Sequence, residues 1–465
     1  MDTPVHRPWS CDTFVARPGS QGPDTTVFGK NSDRPAREAQ PLRRIPARSG
    51  GGRLQLAYVE IDDAAQTLAH IASSPYWCWG HEMGMNAAGV VIGNEALFTR
   101  QLAADVAAER AGQEVQPGIL GMELLRLGLE RGHTAERALE VMTQLLEAHG
   151  QWGAGTLSDD RAAAAYDNSF LIADAEQSWV LETVGRHWAA RRVTEESWSL
   201  SNEPTIRGHW DRSSTDLHRH LQQQGWASSA EAVDFAEAVV DPMVPLQVSH
   251  IRLQRSRQLL TDTLKESGHL SFTDAERVLR DHYEGTFLQG PKFNAARPDF
   301  HTICMHKHPA GFTWGNTAAS MIATLQAGSH PMFWWAAATP CTSVYIPVSA
   351  TAAQLPSSVP LAGAAQLTGP NPERAQRDNY AEGSFWWQFQ ELLEAVAGDA
   401  TGSQYNERQP IVRERFDALQ QDWVHQAHEL GQRGASQADW DALTERCATD
   451  ASQAARELTG RFTSG

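Results

Sequence analysis

Apolar and polar residues alternate along the first hundred positions, which predicts strands there rather than helices. Residues 11–16 alternate in this way, and residues 25–30 resume an extended run after a segment at 18–24 that is dense in Pro, Gly, Ser and Asp. Further strands are predicted at 54–61, 67–72 and 90–94. The amino-terminal part of the chain should therefore form antiparallel hairpins.

The period changes to that of a helix between residues 118 and 149. Thr134 precedes apolar residues at helical spacing that stop at Gly150, as in an N-capped amphipathic helix, and a similar stripe predicts a helix at 119–130. Alternation then returns and predicts strands at 169–174, 178–182, 187–193 and 197–201. Strands on both sides of a helical pair favour an α+β fold with two sheets and helices packed outside them.

The second half of the chain has mainly the pattern of helices. The periodicity predicts them at 228–239, 250–265, 273–283, 384–396, 407–430 and 437–460. Ser436 and Asp439 resemble a capping box at the start of the last one. Residues 299–347 are predicted to be extended, and the stretch at 349–372, rich in Pro, Ala and Ser, is a candidate linker or surface loop.

Composition excludes several functional classes. The 465 residues are 41% hydrophobic and 20% charged, as in a globular protein, and carry a net charge of -17. Lys and Arg form no cluster large enough to displace the counterions of a nucleic acid, so no binding to DNA or RNA is expected. The amino terminus lacks the apolar core of a signal peptide, and no apolar run approaches the length of about 18 residues that spans a membrane.

Five cysteines occur, at positions 11, 78, 304, 341 and 447. Their number is odd, their spacing is wide, and no C-x-x-C pair is present. This pattern favours reduced thiols over a disulfide framework and predicts a cytoplasmic protein.

Cys11 is the candidate nucleophile because a lysine and an aspartate occur at suitable spacing after it. If Ala16 faces Thr25 across the predicted turn, Cys11 lies opposite Lys30, with Asn31 and Asp33 within a residue or two of it. A nearby ammonium favours the thiolate and thereby activates a cysteine near neutral pH. On spacing alone, however, a buried and unreactive cysteine beside a surface turn is the commoner arrangement.

The sequence motif at this hairpin favours a catalytic Cys11 over a buried, unreactive one. Residues 11–14 (Cys-Asp-Thr-Phe) and 28–34 (Phe-Gly-Lys-Asn-Ser-Asp-Arg) resemble the opening of the secernin and dipeptidase A family of cysteine peptidases, which are N-terminal nucleophile hydrolases. Looser resemblance continues at 79–86, 92–96, 302–306, 340–344 and 384–387.

The resemblance implies a four-layer αββα sandwich at 11–400, and the chain continues into a helical extension at 401–465. It also implies that the mature enzyme begins at Cys11, so that a leader at 1–10 is removed by cleavage of the Ser10–Cys11 bond, with the same thiol as the expected nucleophile. In this class the free α-amine of the nucleophile is the general base, and an acyl-enzyme forms and is hydrolysed.

The wider class, which includes penicillin V and bile salt hydrolases, implies roles for further residues. Lys30 replaces an arginine of the class and keeps its charge without its fork of donors. Asp33 corresponds to the aspartate that holds the α-amine. The backbone N–H of Asn94 and the side-chain amide of Asn202 correspond to oxyanion donors, although Glu203 replaces a second expected amide.

Two further positions are candidates for contact with the substrate or the transition state. Asn31 lies inside the opening motif, and a later arginine of the class corresponds to Arg257 or Arg252. Turn or strand-end roles remain the alternatives for Asp33, Asn94 and Asn202.

The sequence thus predicts a cysteine dipeptidase that acts on small peptide bonds. Two alternatives stay open: an acylase on non-peptide amides, and a secernin-like interaction protein without turnover. The expected partner is a dipeptide or small amide, and assembly into a homo-oligomer stays open. No cofactor and no metal are predicted, because His301, His306 and His308 lack a completing carboxylate or cysteine pair and are interpreted as structural.

Overall fold

The computed structural model describes residues 10–17, 24–158, 160–228, 232–245, 247–289, 294, 300–309, 313, 315–363 and 379–464. The strands are β1 (Cys11–Ala16), β2 (Thr26–Pro35), β3 (Leu42–Ile45), β4 (Arg53–Gln55), β5 (Glu60–Asp62), β6 (His70–Ser73), β7 (Met83–Asn86), β8 (Val91–Leu97), β9 (Asp167–Ala173), β10 (Ser178–Val184), β11 (His187–Arg192), β12 (Ser197–Leu200), β13 (Arg212–Ser213), β14 (Gly315–Leu325), β15 (Met332–Ala337) and β16 (Ile346–Ser349).

The helices are α1 (Arg100–Arg110), α2 (Gly121–Arg131), α3 (Ala135–His149), α4 (Arg161–Ala164), α5 (Leu217–Gln223), α6 (Phe235–Val239), α7 (Gln247–Ser267), α8 (Phe272–Leu279), α9 (Phe385–Ala397), α10 (Tyr405–Gln432) and α11 (Gln437–Thr463), with a 3-10 turn at Pro340–Thr342. Parts of several predicted segments lie outside the described residues: 1–9 of the leader, 18–23 of the turn, 229–231 of a helix, 299, 310–312 and 314 of the extended region, and 364–372 of the loop.

Two antiparallel sheets organise the chain. The first has the strand order β12-β1-β2-β14-β15-β16, and the second has the order β13-β11-β10-β9-β8-β7-β6-β3. A separate hairpin pairs β4 with β5. Strands β1, β2 and β8, which carry the motif residues, therefore lie inside their sheets and not at an edge.

The two sheets pack face to face, and helices contact their other faces. Val91 of β8 belongs to the core that contains Phe14 and Phe28 of the first sheet, whereas the next residue, Ile92, packs with Leu124 of α2. Helices α2 and α3 contact the second sheet, and α7 and α8 contact the first. This combination of helices and antiparallel sheets is the predicted α+β fold.

Local capping signals placed several helix ends correctly. The hydroxyl of Thr134 accepts from the N–H of Arg137 at the start of α3, and Gly150 ends that helix with a φ of 71°, in the left-handed region that favours glycine. Ser436 and Asp439 form the predicted capping box of α11.

The predicted single strand at 54–61 is wrong, because the chain reverses between β4 and β5. The N–H of Leu56 donates to the carbonyl of Val59 at 2.8 Å in this turn. No glycine or proline marks the turn in the sequence. It is held from outside, since the carboxylate of Glu123 accepts from the N–H of Ala57 at 2.8 Å.

Other predicted bounds also need correction. The described part of the predicted helix 228–239 is helical only from Phe235, where the Asp234 side chain caps α6, and residues 229–231 lie outside the described residues. Helix α8 ends at Leu279, four residues before its predicted end at 283. Among the described residues of the predicted extended region, strand structure begins at β14, and helix α1 is not predicted at all.

The two carboxy-terminal helices pack on the first sheet and on α9. Gln420 of α10 forms two hydrogen bonds of 2.9 Å with the backbone of Tyr345, and the hydroxyl of Thr444 in α11 donates to the carbonyl of Pro347 at 2.8 Å. Even the longest of the described helices lacks the sustained apolar character that crossing a membrane requires.

Candidate active site

Cys11 is the first residue of β1 and pairs with Ser32 of β2. Thr13, and not Cys11, lies opposite Lys30. The observed register is therefore shifted by two residues from the assumed one, which is within the expected tolerance, because the connection between the two strands is longer than assumed. An even shift leaves every side chain on its own face of the sheet, so Lys30 and Cys11 still point to the same side.

Asp33 lies directly beside the Cys11 sulfur. Its backbone N–H points at Sγ with a nitrogen–sulfur distance of 3.4 Å. One oxygen of its carboxylate accepts from the hydroxyl of Ser10 at 2.7 Å, and the other accepts from the hydroxyl of Thr317 at 2.6 Å. The residue before Cys11 and a residue of β14 thus hold this carboxylate next to the candidate nucleophile.

Asn202 and Arg252 hold the backbone of Cys11. The N–H of Cys11 donates to the side-chain oxygen of Asn202 at 3.0 Å, and Arg252 donates to the same oxygen at 2.7 Å. Arg252 also donates to the carbonyl of Cys11 at 3.1 Å and to the carboxylate of Asp12. The side-chain nitrogen of Asn202 donates to the carbonyl of Ala96 at 2.9 Å. Asn202 therefore presents its oxygen to the nucleophile, whereas the sequence predicts its amide nitrogen as the donor.

Arg257 does not reach this group. It is half-buried in α7, and its electrostatic neighbours are Glu203 and Glu182. Glu203, at the position where a second amide is expected, accepts from Ser249 at 2.8 Å. Of the two arginines considered from the sequence, the structure places Arg252 at Cys11, because it lies five residues nearer the start of the helix.

Lys30 is fully buried between the two sheets. Its ammonium lies 3.3 Å from the carboxylate of Glu95 and donates to the carbonyl of Asn94. The hydroxyl of Thr13 donates to the same Glu95 oxygen. Gly93 makes room for the lysine stem, since a Cβ at this position would come within 2.5 Å of the Lys30 Cδ.

The N–H of Asn94, predicted as an oxyanion donor, points along the second sheet. It lies 3.4 Å from the carbonyl of Glu82, which is long for a hydrogen bond of this type.

The Cys11 thiol is protonated in this arrangement. Burial raises its pKa to about 12; the charge of Lys30 lowers it, and the carboxylates of Glu82, Asp33 and Glu95 raise it again. Only 7% of Cys11 is exposed. The expectation that Lys30 makes this sulfur a thiolate thus needs correction, because the loss of hydration outweighs the neighbouring cation.

The carboxylates that surround the nucleophile are also shifted by burial. Burial raises the pKa of Asp33 to about 6, against the opposing charge of Arg252 and the hydrogen bonds from Thr317 and Ser10. Burial raises the pKa of Asp12 to about 7, again opposed by Arg252. Asp33 can therefore exchange a proton near neutral pH, as a group that assists proton transfer must.

Asn31 has a different role from the one predicted. Its amide nitrogen donates to the carbonyls of Leu279 and Ile303 at 2.8 and 2.7 Å, and its oxygen accepts from the hydroxyl of Ser320 at 2.7 Å. Both amide hydrogens are donated to backbone carbonyls on the face of β2 that packs against α8. Asn31 thus ties the segment before β14 to the sheet and does not face the Cys11 side.

Several buried charges near Cys11 have no predicted role. Arg34 donates to Glu38 at 2.7 Å and to Glu82 at 3.0 Å, and Glu95 pairs with Lys30. A signal for two of them was present, because Glu82 and Glu95 stand in motif segments that are otherwise rich in Gly, Met, Ile and Ala. A carboxylate is rarely buried unless it has a partner, so these positions indicated a buried ionic group.

The chain matches a known peptidase family over part of its length. Residues 63–239 match the family model described as peptidase family C69, the dipeptidase A and secernin family of N-terminal nucleophile cysteine peptidases. The family resemblance seen in the motifs is confirmed over these residues, and it supports a cysteine peptidase or related amide hydrolase. The matched stretch includes Glu82, Asn94, Glu95 and Asn202 and begins after Cys11.

Three solved structures are similar to this chain at low identity. Penicillin V acylase from Agrobacterium tumefaciens is 12% identical, with a TM-score of 0.39, over 73% of this chain and 86% of that one. A mutant of the conjugated bile acid hydrolase from Clostridium perfringens is 13% identical, with a TM-score of 0.41, over 73% and 92%. The N-acylethanolamine-hydrolyzing acid amidase ortholog of Caenorhabditis elegans is 10% identical, with a TM-score of 0.32, over 67% and 92%.

Proposed function

We propose that this protein is a cysteine dipeptidase in which Cys11, freed as the amino terminus of a four-layer αββα sandwich, attacks the carbonyl of a small peptide bond. One observation carries the proposal. The backbone nitrogen of Cys11 is held by Asn202, while its sulfur lies against the N–H of Asp33. A nucleophile whose own α-amine is the base needs both atoms fixed in this way. The packing of helix, sheet, sheet and helix supports the proposed layers.

Maturation would begin with the same thiol. Its sulfur attacks the carbonyl of Ser10, the C–N bond to Cys11 breaks, and the thiol proton passes to the departing α-nitrogen. Water then hydrolyses the thioester, which restores the thiol and releases residues 1–10. Ser10 leaves with the leader, so the Asp33 oxygen that accepted its hydroxyl becomes free for the new α-amine. This order of events is consistent with a Cys11 thiol that is buried and protonated while Ser10 is attached.

In the mature enzyme the α-amine takes the thiol proton as the sulfur attacks the substrate carbonyl. Asn202 and Asp33 orient that amine, and the charge of Lys30 favours the thiolate once the site is open. The proton is then delivered to the leaving amine, and water releases the acyl group. The N–H of Asn94, which lies at a long 3.4 Å from the carbonyl of Glu82, is the proposed donor to the oxyanion.

The preference for dipeptides rests on the family. The opening motif resembles that of dipeptidase A, and the match to peptidase family C69 supports hydrolysis of peptide or related amide bonds. We place the reaction in the cytoplasm, since all five cysteines are buried free thiols, which suits a reducing compartment.

A substrate panel tests the proposal. Wild type, Cys11→Ala and Cys447→Ala are compared on dipeptides and on N-acyl amino acids; Cys447 is a matched control because it is buried in α11, away from the first strand. Dipeptide hydrolysis by wild type and the control, lost in Cys11→Ala, is expected. Hydrolysis of N-acyl amino acids alone would assign an acylase, and a chain beginning at Cys11 that hydrolyses neither would overturn the enzymatic proposal.

A further inference from the structure

Four buried side chains with metal-binding atoms converge behind the first sheet. They are His282, Cys304, His306 and Cys341, and one nitrogen or sulfur from each lies within 4.8 Å of every other. They come from three separate parts of the chain: the segment after α8, the segment before β14, and the 3-10 turn after β15. We propose that this group binds one zinc ion.

The distances agree with a tetrahedral site. Zinc bonds of about 2.0–2.1 Å to nitrogen and about 2.3 Å to sulfur imply about 3.3 Å between two nitrogens and about 3.6 Å between nitrogen and sulfur. The Nε2 atoms of His282 and His306 are 3.2 Å apart, and the Nε2 of His306 lies 3.2 Å from the sulfur of Cys341 and 3.8 Å from that of Cys304. Two cysteines and two histidines form a common closed ligand set of structural zinc.

Groups around the four ligands orient them as second partners do in zinc sites. The Nδ1 of His282 lies 2.8 Å from the carboxylate of Glu284, which leaves Nε2 directed at the cluster. The hydroxyl of Tyr405 lies 3.1 Å from the sulfur of Cys341. A carboxylate on the far side of a ligating imidazole is a recurrent feature of metal sites and is not needed by an ordinary core histidine.

The sequence-based interpretation missed this group because it considered only residues along one strand. Of His301, His306 and His308, only His306 joins the cluster. The backbone N–H of His308 donates to the hydroxyl of Thr313, and the carbonyl of His301 accepts from Tyr283. Cys304 lies two residues before His306, but His282 and Cys341 are distant in sequence, so no motif spacing predicts the complete set.

The ion would support the proposed active site from behind without taking part in the chemistry. The carbonyl of Ile303 accepts from Asn31, and the N–H of Met305 donates to the hydroxyl of Thr317, which in turn donates to Asp33. The residues that carry Cys304 and His306 thus contact both β2 and the partner of Asp33. With four protein ligands and no open position, the role is structural.

Metal content of the full chain tests the proposal directly. After expression with zinc and gel filtration, wild type should contain about one zinc per chain by elemental analysis. The double variant Cys304→Ser/Cys341→Ser should lose it, whereas Cys447→Ser should keep it. Because the double variant can fail to fold, cobalt replacement in wild type is the second measurement: sulfur-to-cobalt charge-transfer absorption and the intense visible bands of a tetrahedral site are expected.

Native alkylation distinguishes the remaining outcomes. Cys304 and Cys341 should resist iodoacetamide until a chelator removes the metal. A metal-free wild type in which these two residues are free thiols, or are joined as a disulfide, would overturn the proposal, and so would a folded double variant that retains its zinc. None of these measurements depends on hydrolytic activity, so they are independent of the proposed function.

Discussion

The hydroxyl of Ser10 donates to the carboxylate of Asp33 at 2.7 Å, so the residue that precedes the candidate nucleophile holds the side chain of the residue whose backbone N–H contacts its sulfur. The same carboxylate is proposed to receive the α-amine of Cys11 after cleavage. In the proposed maturation, Ser10 and the new α-amine would therefore use the same carboxylate oxygen one after the other.

Cys11→Ala should retain residues 1–10 and lose turnover by at least about 10³-fold, because one sulfur is proposed to act in both reactions. Intact-mass measurement reports the leader, and dipeptide hydrolysis reports the turnover. If the variant nevertheless begins at position 11, a separate protease performs the cleavage and autoprocessing is wrong.

Asp33→Asn should lower the rate by about 10²-fold while the fold is kept, since the amide preserves the shape but can no longer hold the α-amine as a charged partner. Circular dichroism and thermal unfolding check the fold, and kcat/KM on one dipeptide checks the rate. Thr317→Val, which removes one of the hydrogen bonds to Asp33, should fall between this variant and wild type. An unchanged rate in Asp33→Asn would remove this residue from the site.

Alkylation of Cys11 in the chain that still carries its leader should depend steeply on pH. Burial raises the thiol pKa to about 12, so the thiolate fraction grows about tenfold for each unit between pH 7 and 11. The rate of iodoacetamide incorporation, followed by mass spectrometry of the Cys11 peptide, should rise with the same slope. A plateau near pH 9 would mean that the thiol titrates like an exposed one.

Arg252→Lys should reduce kcat/KM by about tenfold or more, because one ammonium cannot replace a guanidinium that contacts the Cys11 carbonyl and Asn202 together. Arg257→Lys on the same helix is the matched control and should remain near wild type. Equal losses in the two variants would show that the geometry at Arg252 has no special importance.

Lys30→Met should destabilise the fold by about 3–5 kcal/mol, because it leaves the buried carboxylate of Glu95 without its cation. The double variant Lys30→Met/Glu95→Leu should recover part of this loss, since the orphaned charge is also removed. Chemical denaturation of the three proteins gives the comparison. A double variant that is less stable than Lys30→Met would contradict the ion-pair explanation.

Short-range sequence signals, such as capping residues and terminal glycines, predicted where helices begin and end. The helix after Thr134 begins and ends at the predicted residues, because its cap and its terminal Gly150 act within a few positions. The turn near Ala57 was missed because its support comes from Glu123, in a distant helix. The register of β1 and β2 was off by two residues because the length of the connection cannot be read from turn residues alone.

The resemblance predicted that Cys11, Asp33 and Asn202 belong to the candidate site, and it left the choice between Arg252 and Arg257 open. Cys11 and Asp33 do lie together, because the two strands that carry them are consecutive. Arg252 and Thr317 reach them through tertiary contacts among α7, β14 and the first sheet, and nothing in their own sequence neighbourhoods marks them. The choice between Arg252 and Arg257 depended on where α7 meets β1.

Gly93 leaves no space for even a methyl group beside the stem of Lys30. Substitutions at positions 30 and 93 are therefore expected to be coupled, although 63 residues separate these positions in the chain. A larger residue at position 93 of the second sheet would need a shorter side chain at position 30 of the first sheet. Otherwise the two sheets would have to move apart, and the Lys30 ammonium would move away from Cys11. Engineering of this enzyme's charge environment should begin with that pair.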